Sequence, residues 1–543
     1  MESKIQSIRQ LALLFFVTGL LLLSGLDKIE INIMEARNFI SAREMVQNKE
    51  YLLTTLNNEP RYQKPPLPTW LTAISGSIFG FDSLFALRLP VVAITFMLVF
   101  AFYYFSIKLG LDSKHSLRNG LILITSFYVF FAGRDNQWDM YTHSFMMVSL
   151  LFLWKLFNED SGQLWNSLLS GIFLGCSILS KGPVSFYAMF MPFVISYGIV
   201  YKIPFRRKWV YLLNMLLSGL VIGASWYVYV RLKDPESFNA ITSKETSNWA
   251  SYEVKPFYYY WSFFLQSGLW AIPSLITLTY PYLKTRVSNL KVYRFALLWT
   301  LSALMLLSAI PEKKVRYLVP VLIPLALTTG FYIEYLIRSF NDSMAKREKN
   351  TVYFSFGLIA IIALAFPGVL IFLLKDGTME YVILSVIASC LMYISAFLIM
   401  KGLRHKNFKQ VFYSLIAVFV IVVIALVPMS KKFIQNPEYA SASRAKALSD
   451  HYQVNTYSLS GIAPEILWDF GKPIPIIKHD GDQVVIPDET QFALLTSESD
   501  STILRNQFEK YKIEKIYKIN MYSRKNKKGR LIQDYYLLSE PEN

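Results

Sequence analysis

Residues 83–108 read SLFALRLPVVAITFMLVFAFYYFSIK, and no charged residue stands between Arg88 and Lys108. A helix rises about 1.5 Å per residue, so a run of this length crosses the roughly 30 Å hydrocarbon core of a bilayer. The same pattern recurs along the 543 residues. About 13 spans are expected, at 10–26, 83–108, 118–133, 140–157, 164–181, 183–201, 209–231, 257–282, 292–310, 315–337, 352–374, 379–400 and 410–429. The stretch 67–80 reads as a further short or re-entrant helix. The expected fold class is an α-helical polytopic membrane protein with a small C-terminal α/β extracytoplasmic domain.

Composition agrees with that reading. The chain is 53% hydrophobic and 16% aromatic with only 17% charged residues, and its net charge is +17. So basic a balance raises nucleic acid as a partner, but Lys and Arg concentrate in short loops between spans, as the positive-inside rule requires. With the N-terminus inside, basic clusters fall at Lys108/Lys114/Arg118, Lys202/Arg206/Arg207/Lys208, Lys284/Arg286/Lys291/Arg294, Arg338/Lys346/Arg347/Lys349 and Lys401/Arg404/Lys406/Lys409. Nucleic acid is therefore not expected, and membrane lipids are. Lys4 and Arg9 before the first apolar run resemble a signal peptide, but no small-residue cleavage site follows, so a retained first helix is expected. Cys176 and Cys390 lie inside expected spans, which suggests neither a disulfide framework nor a thiolate metal site.

The expected division is a membrane domain over 1–430, with a long outer loop at about 27–82, and a polar, cysteine-free domain over 431–543. Short alternating runs at Gln483–Ile486 and Phe492–Leu495 read as strands, and Ser501–Tyr511 as a helix. The chain carries no Gly-rich phosphate loop and no dinucleotide fingerprint.

Chemistry-bearing residues gather in the outer loops. Glu35 reads either as a carboxylate paired with Arg37 or Arg43 or as a base or orienting group for an acceptor. Arg37 and Glu44 would flank a short amphipathic helix along the membrane. Asp135 and Asp139 are four apart in Gly133-Arg134-Asp135-Asn136-Gln137-Trp138-Asp139 and would share a helix face. One of them reads as a cap for the next span, or both as part of a polar cluster facing a cavity. Lys64 precedes Pro65-Pro66, which stiffen the backbone behind it. A fixed ammonium near the headgroup plane suits the phosphate of a lipid substrate. Lys181, Lys313, Arg316 and Tyr317 add polar and cationic groups on the same side, where the plain alternative is an interfacial anchor. His143 lies inside a span and reads as a hydrogen-bonded structural histidine. No ligand spacing points to a metal.

Glu35-Ala36-Arg37, Ala42-Arg43-Glu44-Met45, Arg61-Tyr62-Gln63-Lys64-Pro65-Pro66 and Arg316-Tyr317-Leu318-Val319-Pro320, in that order, resemble the GT-C membrane glycosyltransferases. The nearest branch contains the lipid A aminoarabinose transferase and the protein O-mannosyltransferases. The resemblance covers roughly residues 1–430. The chain departs from the family pattern in four places. Met34 stands where the first acid of an Asp-Glu pair is familiar, Asn38 replaces a Tyr, and Arg61 takes the Tyr position of the Lys-Pro motif, with Tyr62 one place later. The long loop 233–256 lacks the His and Arg expected there and offers Lys244, Glu245, Trp249 and Tyr252.

The resemblance implies an inverting glycosyltransferase on the outer face of a bacterial cytoplasmic membrane. Its donor would be a polyprenyl-phosphate-linked sugar, and its acceptor a lipid A-like lipid, a glycan or a protein. In this reading Glu35, Asp135 and Asp139 are catalytic, and Arg37, Arg61, Tyr62, Lys64, Lys181, Lys313, Arg316 and Tyr317 bind substrate. No cofactor is firmly implied, and a divalent cation is compatible with the reading. The alternative is a lipid or solute transporter, although no internal repeat or pair of broken helices marks one.

Overall fold

The computed structural model describes residues 2–373, 379–430, 436–477, 479–480, 483–497, 501–524 and 529–541. The chain divides into two compact units. One comprises 1–28, 62–71 and 82–429, and the other 29–61, 72–81 and 430–543.

The first unit is helical. Among the described residues, eight helices are long and apolar enough to cross a membrane, beginning with Leu84–Lys108 and ending with Phe408–Leu426. That is fewer than the spans expected, and three of the missing ones are broken rather than absent. The stretch 118–133 divides into helices Ser113–Ile124 and Phe127–Ala132, and Thr125 and Ser126 turn their hydroxyls onto the carbonyls of Leu121 and Ile122. Such local bonds compete with continued helix. The stretch 183–201 opens with a π-helical turn, Phe186–Phe190, before the helix Met191–Val200. The stretch 257–282 is a series of short turns and helices, with Gly268 at φ 61° between Phe263 and Trp270. The helix Gln163–Lys181 is continuous but too polar to rank among the eight, because Asn166, Ser167, Ser170, Ser177 and Ser180 lie along it.

Those serines set the register on which the site depends. Thr142 and Ser177 exchange hydroxyl-to-carbonyl bonds of 2.9 and 2.8 Å, and Ser149 and Ser170 exchange bonds of 2.8 and 2.9 Å. Helices Trp138–Asn158 and Gln163–Lys181 are thereby joined at two levels, a common device of membrane helices. On its other side Gln163–Lys181 meets Phe205–Lys233 through Gly171, Gly175, Gly219 and Gly223. A methyl at Gly171 would lie 2.6 Å from the carbonyl oxygen of Met215, so only glycine permits this approach.

The second unit holds a four-stranded sheet in the order Thr456–Ser458, Gln491–Thr496, Ile532–Ser539, Lys512–Asn520. The first pair is parallel and the others antiparallel. Helices Ala442–Tyr452, Pro464–Phe470 and Ser501–Gln507 accompany it. The expected boundary at 430/431 adjoins 431–435, outside the described residues. The sequence reading assigned the whole first loop to the membrane part. Here residues 29–61 and 72–81 cluster with the tail, because Ile40 is buried with Ala445, Ile466, Phe470 and Ile519, and Asn57 donates to the carbonyl of Ile474 at 2.7 Å.

Candidate active site

The helix Ile33–Asn48 belongs to the second unit. Asn32 caps it, accepting from the N–H groups of Met34 and Glu35 at 2.9 and 3.2 Å. Its side-chain amide also reaches the Glu35 carboxylate at 3.4 Å. Glu35 is buried, and Arg37, on the same helix, is half-buried. The expected amphipathic helix is thus present, but it is packed protein rather than a helix lying on a membrane, with Met34–Met45 buried except for Arg37. Arg43 lies over the ring of Trp468, so it is a packing cation. Glu44 accepts from Thr55 Oγ1 and from the N–H groups of Asn57 and Asn58. Arg61 is buried, with its guanidinium 3.3 Å from Ser41 Oγ.

The first unit assembles most of the other expected residues. Asp139 sits in the first turn of the helix Trp138–Asn158, and Lys181 is the last residue of Gln163–Lys181. The two-level joint between these helices brings the carboxylate and the ammonium into a buried salt bridge. The Lys181 ammonium also lies 4.9 Å from the centre of the Tyr317 ring. Gly182, at φ 72°, ends the helix so that the chain turns away directly behind Lys181. Arg316 and Lys64 are within electrostatic reach of Lys181. Lys64 pairs with Glu245 at 3.5 Å, and Tyr62 donates to Asp234 at 2.9 Å while its ring meets Trp226 edge-on. Among the described residues, Asp139 Oδ2 and Arg316 Nε are buried without a hydrogen-bond partner.

Two expectations about Asp135 and Asp139 are corrected. Asp135 and Asp139 do not share a helix face, because the helix starts at Trp138 and Asp135 precedes it, accepting from the Gln137 amide. Neither acid caps the helix, since Gln137 occupies that position. Lys313 is drawn into its own loop, where its ammonium donates to the carbonyls of Lys255 and Ile310 at 3.0 and 2.5 Å. The neighbouring Lys314 makes the ion pair, with Glu312 at 2.6 Å.

Glu312 escaped the sequence reading. Burial pushes its carboxyl up, but hydrogen bonds from Lys314 and Tyr317, and the charges of Lys314 and Lys64, hold it below the usual carboxylate range. Asp234 behaves alike, with burial outweighed by hydrogen bonds from Tyr62 and Ser237. The only signal for either acid was its place next to a span end, which many solvated acids share. His143 bonds Ser185 Oγ at 3.1 Å, as a structural histidine does. Among the described residues, no group of three His, Cys, Asp or Glu could hold a metal ion.

Lys64 and Arg316 thus stand within electrostatic reach of Lys181, which Asp139 holds and the Tyr317 ring flanks, giving a cationic cluster around one fixed ammonium. Such a site stabilises an anion whose charge grows during reaction.

Residues 63–229 match the family described as dolichyl-phosphate-mannose-protein mannosyltransferase. The chain is 25% identical over 379 residues to an undecaprenyl phosphate-alpha-4-amino-4-deoxy-L-arabinose arabinosyl transferase of Photorhabdus laumondii, covering 65% of this chain and 64% of that one. It is 24% identical to the transferase of the same name from Shewanella sediminis, covering 65% of each chain. The match therefore spans just under two thirds of the length of these relatives. The crystal structure of ArnT from Cupriavidus metallidurans bound to undecaprenyl phosphate superposes with a TM-score of 0.71 at 15% identity, covering 98% of this chain and 99% of that one. The fold is that of ArnT, and the resemblance to GT-C glycosyltransferases of the aminoarabinose branch holds. The relatives named here are transferases, and the transporter alternative is not favoured.

Proposed function

We propose that this chain is a polytopic glycosyltransferase of the bacterial cytoplasmic membrane. It would move a sugar from an undecaprenyl-phosphate donor to an envelope acceptor on the outer face. The acceptor is a lipid A-like lipid, a glycan or a protein. The reading includes about 13 membrane passages, some made of broken helices, with the N-terminus inside and the C-terminal domain outside. The regular alternation of basic loops supports that orientation.

One observation carries the reading: the buried Asp139–Lys181 pair beside Arg316, Tyr317 and Lys64, in a chain with the fold of a protein crystallised with undecaprenyl phosphate. The acceptor oxygen attacks the anomeric carbon from the face opposite the phosphate. The bond between that carbon and the phosphate oxygen breaks, and the undecaprenyl phosphate leaves with the bonding electron pair, so the configuration inverts. Lys64, Lys181 and Arg316 neutralise the charge that develops on the phosphate. Asp139 aims Lys181 and holds it in place. Where the acceptor is a hydroxyl, Glu35 takes its proton. Asp135 and Arg37 are assigned to sugar or acceptor contacts, and Arg61 to support of the Glu35 helix. Tyr62 and Tyr317 wall the donor site, and Lys313 braces the loop that carries Arg316.

The test is transfer of label from a panel of synthetic undecaprenyl-phosphate sugars to envelope extract by the purified protein. Label passing to a lipid or protein fraction, and lowered by a factor of about 10²–10³ in Lys64→Ala, is expected. No transfer across the panel by a folded protein would overturn the reading.

A further inference from the structure

A second site lies away from the residues assigned to transfer. Between the helices Met191–Val200 and Leu290–Ala309 and the short helix Tyr280–Leu283 is a cleft of about 680 Å³, within the size range of small-molecule sites. Its walls are apolar, including Ile199, Leu297 and Leu298. Its polar groups are Lys291, Arg294 and Tyr280. Arg294 Nε donates to the Tyr280 hydroxyl at 2.6 Å, and the Lys291 ammonium lies 4.4 Å from the centre of the Tyr201 ring. Tyr280 is in turn stacked parallel to Tyr293. Both cations are thus positioned by aromatic neighbours rather than by acids.

Lys108 pairs with Glu159, Lys208 with Asp160, Arg286 with Glu348 and Arg118 with Glu334. Among the described residues, Lys291 and Arg294 have no carboxylate partner. Two unpaired cations at the mouth of an apolar cleft between membrane helices fit an amphiphile with an anionic head.

We propose that this cleft binds an anionic glycerophospholipid, with its phosphate on Lys291, Arg294 and the Tyr280 hydroxyl and its acyl chains along Ile199, Leu297 and Leu298. In the orientation given above the site faces the cytoplasmic leaflet, so it is a lipid site separate from the donor site and independent of the transfer reading.

The test titrates the purified full-length protein in neutral detergent with phosphatidylglycerol or phosphatidylcholine, read by native mass spectrometry. One phosphatidylglycerol is expected to be retained in preference to phosphatidylcholine. A juxtamembrane cation contributes about 1 kcal/mol toward an anionic lipid, so Lys291→Gln/Arg294→Gln should weaken retention roughly thirtyfold. Leu298→Trp, which fills the cleft and keeps both charges, should weaken it as well. Equal retention by the double variant would overturn the proposal, as would an absence of headgroup preference in the wild type. Displacement of the lipid by an equal concentration of inorganic phosphate would also overturn it, since the site would then be one for a free anion.

Discussion

The ammonium of Lys181, at the end of one helix, meets the carboxylate of Asp139, in the first turn of the helix before it, and both side chains are more than nine-tenths buried. Taking two charges out of water is costly, and their attraction offsets that cost only while both remain. Asp139→Asn or Lys181→Met alone leaves one buried charge unpaired and is expected to destabilise by about 3–5 kcal/mol. The double variant should recover much of that loss, because no uncompensated charge remains, yet should not recover transfer. Thermal unfolding of the four proteins in detergent checks the first point and the labelled-donor assay the second. Full additivity of the two losses would show that the pair is not coupled.

Lys64 differs because its pair with Glu245 is loose. The groups are 3.5 Å apart and their side chains are 25% and 36% exposed. Pairs this open contribute at most about 1 kcal/mol to stability. Glu245→Gln should therefore leave the unfolding temperature nearly unchanged and, by removing a competing negative charge beside Lys64, tighten binding of undecaprenyl phosphate. Lys64→Ala should lower turnover by a factor of about 10²–10³, as loss of one preorganised donor does. Weaker undecaprenyl phosphate binding by Glu245→Gln would show instead that Glu245 holds Lys64 in its productive position.

The apolar spans were legible because a long uncharged run admits few readings. Lys64, Asp139, Lys181, Arg316 and Tyr317 were legible as polar groups stranded at span ends. What decides their partners is tertiary. Lys181 finds Asp139 through hydroxyl–carbonyl bonds between two helices, and nothing local to either residue announces it. The breaks in 118–133 and 257–282 follow from hydroxyls turned onto carbonyls and from one glycine at positive φ, which average hydropathy does not register. The spacing of Asp135 and Asp139 misled for a related reason, since periodicity presumes a helix that here has yet to begin at Asp135. The union of the first loop with the tail is the least local feature, for Asn57 and Ile474 are 417 residues apart. It rests on Phe39 against Trp468 and Ile40 in the core, apolar residues that in sequence look like membrane contacts.

Tyr62 and Asp234 give a pH-dependent contact. Burial pushes the Asp234 carboxyl up, but hydrogen bonds from Tyr62 and Ser237 more than reverse this and leave it below the usual range. A carboxylate with a lowered folded-state value adds stability that is present above its unfolded value, about 3.9, and is lost as pH falls through the folded one. Tyr62→Phe should cost about 1 kcal/mol at neutral pH. Its deficit should shrink as pH falls below about 4, once Asp234 is protonated in both proteins. Thermal midpoints of the two proteins across that range check the sign, and a deficit that grows on acidification would contradict it.

Glu35 and Glu44 lie on one helix, and both are buried, yet their surroundings assign them different work. Glu44 accepts from Thr55 Oγ1 at 2.5 Å, Asn57 N at 2.8 Å and Asn58 N at 3.2 Å, so it holds the loop that follows. Glu44→Gln puts a donor where acceptors are needed and should cost about 1–3 kcal/mol, with turnover per folded molecule retained. Glu35 sits at the first turn, and its contact with the capping Asn32 amide is long, at 3.4 Å. As the acceptor's base it should show the opposite result. Glu35→Gln is expected to leave the protein folded while turnover per folded molecule on a hydroxyl acceptor falls by a factor of about 10²–10⁴. Raising the pH should not restore it, because an amide has no proton to give up in that range. A Glu35→Gln protein that transfers at the wild-type rate would remove Glu35 from the mechanism and leave deprotonation to the departing phosphate.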